Sequence, residues 1–406
     1  MINVVILNGG RGASSMIPCL LGTQGLNVTS VVNAYDDGKS TGEIRKFFGM
    51  LGPSDIRKVQ ELMLPVDDND YKNNLNLFQY RFSKNIHRNK VFSKLHSFAS
   101  GKTDDLVGIS LKNKKVKETL KIFINEFLSG LEIIEYAEDR FFDFSDCSIM
   151  NCIYAGAFLA CNRNIEQATI AIDRLFKLRG TVLPTSIENK KLVAQRENGK
   201  ILYSEAEIVE LRSNVRIDRL YLLDKNLKKD NFENLSNDDK SRYLEKHNCY
   251  VRISSGVKLA LQQADIIIYS SGTQHSSLYP TYITTGLSQV IADNHSAYKV
   301  FITNIGADYE TPRYKASDYI YGAYRYLNLS DKRSYDMNEL FDVVLINNST
   351  MKAKADETYV ECDDKINNIS VPIIIDDFES HSNPGKHNGD KVVETILNLY
   401  SNNLSL

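Results

Sequence analysis

Ile2-Asn3-Val4-Val5-Ile6-Leu7-Asn8-Gly9-Gly10-Arg11-Gly12-Ala13-Ser14-Ser15 sets the fold class. A short apolar run with β-branched residues, closed by glycines, reads as a strand buried on both faces. The polar glycine loop then gives way to a helical pattern through Met16, Leu20 and Leu21. Strand, glycine loop and helix form the opening unit of a parallel α/β sheet. The unit repeats at once. Val28-Thr29-Ser30-Val31-Val32 is a second strand, and Tyr35-Asp36-Asp37-Gly38-Lys39-Ser40-Thr41-Gly42-Glu43-Ile44-Arg45 follows it. Carboxylates, hydroxyls and glycines thus gather beyond a strand's carboxyl end, where open α/β sheets bind ligands.

The rhythm returns in the second half of the chain. Val257–Ala264 reads as a helix and Asp265–Tyr269 as a strand, ending in Ser270-Ser271-Gly272-Thr273-Gln274-His275-Ser276-Ser277. A helix at Gly286–Asp293, a strand at Lys299–Ile302, a helix at Ala316–Leu327 and strands at Asp342–Ile346 and Val371–Ile375 follow, with a final helix at Lys391–Tyr400. Ile149–Cys161 and Glu166–Leu178 suit helices; Val182–Pro184 and Leu192–Ala194 suit strands. The expectation is one α/β domain over 1–406, Rossmann-like and doubly wound, with a mostly parallel sheet covered by helices on both faces. Residues 73–145, rich in Lys, Asn and Phe, read as a largely helical insertion, and 225–246 as an exposed polar excursion.

Composition excludes several classes. The formal net charge is −2, so no global basic field points to nucleic acid or an anionic membrane. The local run Lys112, Lys114, Lys115, Lys117 and Lys121 precedes an apolar helical stretch and reads as a solvated helix start. The six cysteines form no Cys-x-x-Cys pair, which removes zinc-ribbon and redox motifs. No basic apolar leader opens the sequence and no stretch has the length of a membrane span. A reduced, cytoplasmic protein is expected.

Two glycine-containing loops suit a phosphate, because glycine lets the backbone approach a ligand and a following helix start offers free N–H groups. The first supplies Gly9, Gly10, Gly12 and Ser14; its spacing is neither the dinucleotide fingerprint nor the Walker pattern. Arg11 either adds charge to a phosphate or faces water. The second supplies Gly272, Thr273, Ser276 and Ser277, while His275 either donates there or is a satisfied loop histidine. Asp36, Asp37 and Asp55 would hold Mg²⁺ against phosphate oxygens, or one would act as a base toward an acceptor hydroxyl. Arg45 and Arg57 would take phosphate charge or pair with these aspartates.

The order of motifs resembles the family that joins 2-phospho-L-lactate transferase (CofD) with the YvcK-type gluconeogenesis factors. The resemblance rests on Gly9-Gly10-Arg11-Gly12-Ala13-Ser14, then Asp36-Asp37-Gly38-Lys39-Ser40-Thr41-Gly42-Glu43-Ile44-Arg45, then Gly49-Met50-Leu51-Gly52-Pro53-Ser54-Asp55-Ile56-Arg57. Gln79–Phe82, Asn151, Ile165–Ala168, Arg179–Pro184, Ala264-Asp265, Ala316–Asp318 and His387 extend it along nearly the whole chain. Asn8, Arg11, Ser54, His275 and the stretch Ser145–Met150 depart from the family pattern, as expected of a divergent member.

The resemblance implies a homodimer with a nucleotide-diphosphate ligand: a GDP-linked phospholactyl donor with Mg²⁺ in the transferases, a UDP-sugar in the regulatory branch. By residue, it implies phosphate contacts from Gly9, Gly10, Gly12 and Ser14, and nucleotide contacts from Gly272, Thr273, Ser276 and Ser277. Asp55 and Asn151 fall on the acceptor side. The transferase expectation casts Asp55 and Asp37 as catalytic, Asp36 and Asp37 as metal ligands, and Arg57 as a diphosphate contact. The other expectation is a nucleotide-sugar-binding regulator without turnover.

Overall fold

The computed structural model describes residues 1–10, 12–348 and 359–404. Among them, seven strands form one sheet: β1 (Ile2–Asn8), β2 (Leu26–Val32), β3 (Thr181–Pro184), β4 (Ile266–Tyr269), β5 (Tyr298–Ile302), β6 (Val343–Asn347) and β7 (Ile373–Asp376). Every pairing is parallel, in the order β3-β2-β1-β4-β5-β6-β7. Ile6 stands opposite Ser30 on one side and Ile268 on the other. Val4 through Asn8 are buried in unbroken succession, so both faces of β1 are covered, as a doubly wound sheet requires.

The chain winds outward from β1 through β2 to β3, then returns to β4 on the other side of β1. That reversal makes the carboxyl ends of β1 and β4 the topological switch point, where the diverging connections leave a crevice.

Helices α1 (Met16–Gly22), α2 (Lys39–Phe48) and α3 (Ser54–Leu62) follow the first two strands. The region read as an insertion carries α4 (Tyr71–Gln79), α5 (Arg88–Ala99) and α6 (Lys114–Glu138), plus a two-residue-per-strand hairpin at 105–110. Asn113 caps α6 by accepting from the Lys115 and Val116 amides, so the lysine run is a helix start. The phenylalanines have a packing role. Phe127, Phe142 and Phe144 contact one another edge to face, and α6 lies along α7 (Ile149–Ala160).

After α8 (Ile165–Leu175) and β3, the chain leaves the parallel sheet. Leu192–Ala194 is a strand, but within Lys191–Arg196 of a separate antiparallel sheet with Ile201–Leu202 and Ile217–Leu223. Between them runs α9 (Glu205–Glu210). Residues 225–246 include most of α10 (Asn237–His247). Phe232 and Leu244 from that region join Val193, Ile201, Tyr221 and Leu223 in a small second core.

Candidate functional site

Four loops converge at the carboxyl edge of the sheet around a cleft of about 830 Å³. The first follows β1. A Cβ on Gly12 would lie 2.6 Å from the Ser271 carbonyl oxygen, and one on Gly10 would lie 2.4 Å from Asp55 Oδ1. Only glycine lets this loop pass between the β4 loop and the start of α3. Ser30 Oγ donates to Asn8 Oδ1 at 2.5 Å and fixes the strand end from which the loop departs.

The second loop follows β4 and is held from behind. Gly272 and Asn304 exchange two hydrogen bonds of 2.9 Å, amide to Oδ1 and Nδ2 to carbonyl. The Glu310 carboxyl accepts from the His275 and Ser276 amides at 2.9 Å and from Ser276 Oγ at 2.6 Å. Burial, then Asp308, pushes the Glu310 pKa up to about 8. Asn33 beyond β2 donates to the Ser276 carbonyl at 2.8 Å. The loop that faces the ligand space is therefore tied to its neighbours on both sides.

The third wall is acidic. Asp36 Oδ1 accepts the Gly38 amide at 2.9 Å in a tight Asx turn ahead of α2. Asp55 opens α3 and takes Lys58 Nζ at 2.7 Å. Glu205, on α9, reaches the same cleft from the antiparallel unit. Burial and then the Asp55 charge raise the Asp36 pKa; burial and then Asp36, Asp55 and Asp37 raise that of Glu205. These carboxylates repel one another, with Lys58 paired to Asp55 and Lys39, Arg81 and Lys386 elsewhere on the lining. The fourth wall, Asn304–Asp308 after β5, is joined by Tyr359 and the turn Pro384–His387.

Gly9, Gly10, Gly12, Asp36, Asp55, Gly272, Thr273, Ser276 and Ser277, all singled out in the sequence, line this one cleft. Four others do not. Ser14 is exposed outside it, and its neighbour Ser15 takes the lining position. The Asp37 carboxylate accepts the Ala206 amide at 3.0 Å, so it caps the start of α9. Arg57 is buried and donates to the Phe78 carbonyl at 2.7 Å. Asn151 lies buried behind the lining residue Ser40, its Nδ2 3.4 Å from Ser40 Oγ.

Two further readings change. Arg45 lies behind the cleft lining; its guanidinium donates to the Tyr35 and Lys190 carbonyls at 2.6 Å and to Asn189 Oδ1 at 2.8 Å, and it meets Asp37, Asp36 and Glu205 through their charge. His275 points away from the cleft into a nest of Tyr279, Tyr314 and Tyr326, where burial lowers its pKa to about 3 and keeps it neutral. Arg11 lies outside the described residues.

Sequence reading missed Glu205, Asn304 and Glu310. Thr303–Asp308 carries the same signature as the other loops, a polar run beyond an apolar strand. Glu205 follows Ser204, a serine start signal that marks a helix without showing where it docks.

Among the described residues no three His, Cys, Asp or Glu side chains converge into a complete protein cage. Asp36 and Asp55 beside a phosphate suit an ion that keeps water and takes one or two carboxylates. The residues fit such a shared site.

A seven-stranded parallel sheet with glycine loops and acidic residues around its switch point defines the class, a doubly wound α/β protein. The family model of 2-phospho-L-lactate transferase CofD matches residues 4–383, and the chain belongs to that family. It is 22% identical to a putative gluconeogenesis factor of Aquifex aeolicus, across 99% of this chain and 98% of the relative. It is 24% identical to the gluconeogenesis factor of Listeria monocytogenes, across 98% and 96%. The crystal structure of BH3568 from Bacillus halodurans, a UPF0052 family member, superposes with a TM-score of 0.67 at 21% identity, over 98% of this chain and all of that one. No helix among the described residues is long and apolar enough to cross a membrane.

Proposed function

We propose that the cleft binds a nucleotide-linked diphosphate of the UDP-sugar kind and that the chain acts as a ligand-responsive factor, as the names of its gluconeogenesis-factor relatives suggest. The observation that carries this reading is the meeting of two glycine loops and a cluster of mutually repelling carboxylates at the switch point. The glycines leave backbone exposed to phosphate, and the carboxylates call for a cation beside it. A cleft of about 830 Å³ is of the size that nucleotide-scale ligands occupy. Asp36 and Asp55 are the residues that would hold Mg²⁺, whose chemistry there would be neutralisation of phosphate charge.

Isothermal titration with UDP-N-acetylglucosamine and with GDP, each with and without Mg²⁺, tests the reading. Binding strengthened by Mg²⁺, with the nucleotide recovered intact, is expected. No binding of either nucleotide at millimolar concentration would sink it.

One observation favours a second reading, transfer of a phospho-group from a GDP-type donor to an acceptor hydroxyl. Asp55 lines the cleft against Gly10, with Lys58 paired to one oxygen, and would orient or deprotonate an acceptor there. This reading requires Mg²⁺-dependent release of a nucleoside monophosphate, abolished in Asp55→Asn. The homodimer implied by the resemblance is a proposal of the same standing, read by light scattering.

A further inference from the structure

Ser271, in the β4 loop, and His387, just ahead of the helix Gly389–Asn403, both line the cleft. Both are buried, and Ser271 Oγ lies 3.2 Å from His387 Nδ1. The other side of the ring decides the direction of this bond. The imidazole also hydrogen-bonds the Thr303 main chain. The Thr303 amide already donates to the Leu345 carbonyl at 3.1 Å, so the ring's partner is the Thr303 carbonyl. A carbonyl only accepts, so the ring gives its proton there, and with Nδ1 set 3.2 Å from the serine we assign that proton to Nε2. Burial lowers the His387 pKa to about 4, which leaves a single ring proton at neutral pH.

A neutral ring protonated at Nε2 has a bare Nδ1 that accepts. The Ser271 hydroxyl must therefore give its one proton to His387. Its oxygen keeps only lone pairs for anything else in the cleft. A phosphate oxygen is itself an acceptor and gains nothing from such a group, whereas a ligand O–H donor is matched.

We propose that Ser271 and His387 form a hydroxyl-recognition subsite, in which Ser271 Oγ accepts a hydrogen bond from a ribose or sugar O–H of the ligand and His387 is the positioning residue that fixes its polarity. The proposal rests on the nucleotide reading above and divides the cleft. Sugar hydroxyls lie toward Ser271, and the diphosphate lies toward the Gly9–Gly10 turn and the acidic wall.

The test uses the full chain with UDP-N-acetylglucosamine, GDP and inorganic pyrophosphate as probes. Ser271→Ala is expected to weaken the nucleotide that binds by about fivefold, the worth of one neutral hydrogen bond, and to leave pyrophosphate within twofold. His387→Phe should lose as much as Ser271→Ala. His387→Gln should recover most of it, because the amide oxygen accepts from Ser271 while its NH₂ donates to the Thr303 carbonyl. Equal loss for pyrophosphate and nucleotide overturns the proposal. A ligand-free readout keeps the two readings apart. ¹⁵N NMR of the wild type at pH 7 should show the Nε2–H tautomer of His387, and an Nδ1–H tautomer overturns the proposal outright. Should no probe bind the wild type, the nucleotide reading fails and this subsite falls with it; nucleotide binding together with an Nδ1–H tautomer or an equal loss for pyrophosphate overturns this proposal alone.

Discussion

Gly12→Ala tests whether the two glycine loops depend on touching. The added Cβ would sit 2.6 Å from the Ser271 carbonyl oxygen and 3.0 Å from the Gly272 Cα, both backbone atoms. Restoring an ordinary contact of 3.4 Å to that oxygen needs the loops to part by about 0.8 Å. Asn304, which follows β5 on the far side of the β4 loop and is tied to Gly272 by two bonds of 2.9 Å, leaves that loop little room to retreat. Overpacking of this kind costs ~1–3 kcal/mol.

With an unfolding entropy of roughly 0.85 kcal/mol/K for a chain of this length, the melting temperature should fall by about 1–4 °C. Nucleotide affinity should fall more steeply, by about tenfold, because the ligand loops themselves separate. Differential scanning calorimetry and isothermal titration read the two effects. Gly22→Ala is the control: its Cβ meets nothing within 4 Å at the end of α1, so no loss is expected. Wild-type stability and affinity in Gly12→Ala would refute the argument that the close approach of these loops builds the site.

Three further outcomes are expected. Asp55→Asn removes a charge that raises the Asp36 and Glu205 pKa values, so stability at neutral pH should hold or rise while Mg²⁺-dependent nucleotide binding drops; calorimetry and titration report both. Asp37→Ala removes the acceptor for the Ala206 amide and should cost ~1 kcal/mol in denaturant unfolding, with little change in Mg²⁺ dependence. The pKa of His275 falls from 6.5 to about 3 on folding, so its contribution is full above pH 6.5 and is lost as pH falls toward 3. Denaturant midpoints at pH 7.5 and 4.5 should show this acid loss, on the order of 2–3 kcal/mol, blunted in His275→Phe.

Sequence patterning reveals an element more readily than its partner. β1, β2 and β4 are legible because continuous apolar runs bounded by glycine or serine have few other uses. Leu192–Ala194 is legible as a strand, but nothing in three apolar residues says that its neighbours are antiparallel and outside the main sheet. The same limit governs the site. Asp36 and Asp37 are adjacent and chemically identical, yet one lines the cleft and the other caps a helix 169 residues away. His275 sits in a run of small polar residues that reads as an exposed loop. Its burial is decided by tyrosines at 279, 314 and 326, of which only the first is local. Glu205 enters the cleft on a helix whose docking depends on that long-range contact with Asp37.

That helix lies against the strands Lys191–Arg196 and Ile201–Leu202, which contribute to a second core of Val193, Ile201, Tyr221, Leu223, Phe232 and Leu244, while its own Ile208 packs into the main core. Glu205 and its helix reach the cleft from there; the glycine loops, Asp36 and Asp55 belong to the parallel-sheet part. Repacking this satellite core is thus a route by which descendants of the fold can shift Glu205 and retune the shape of the cleft while the glycine-loop backbone stays as it is. Directed evolution aimed at a new ligand would begin among those six side chains.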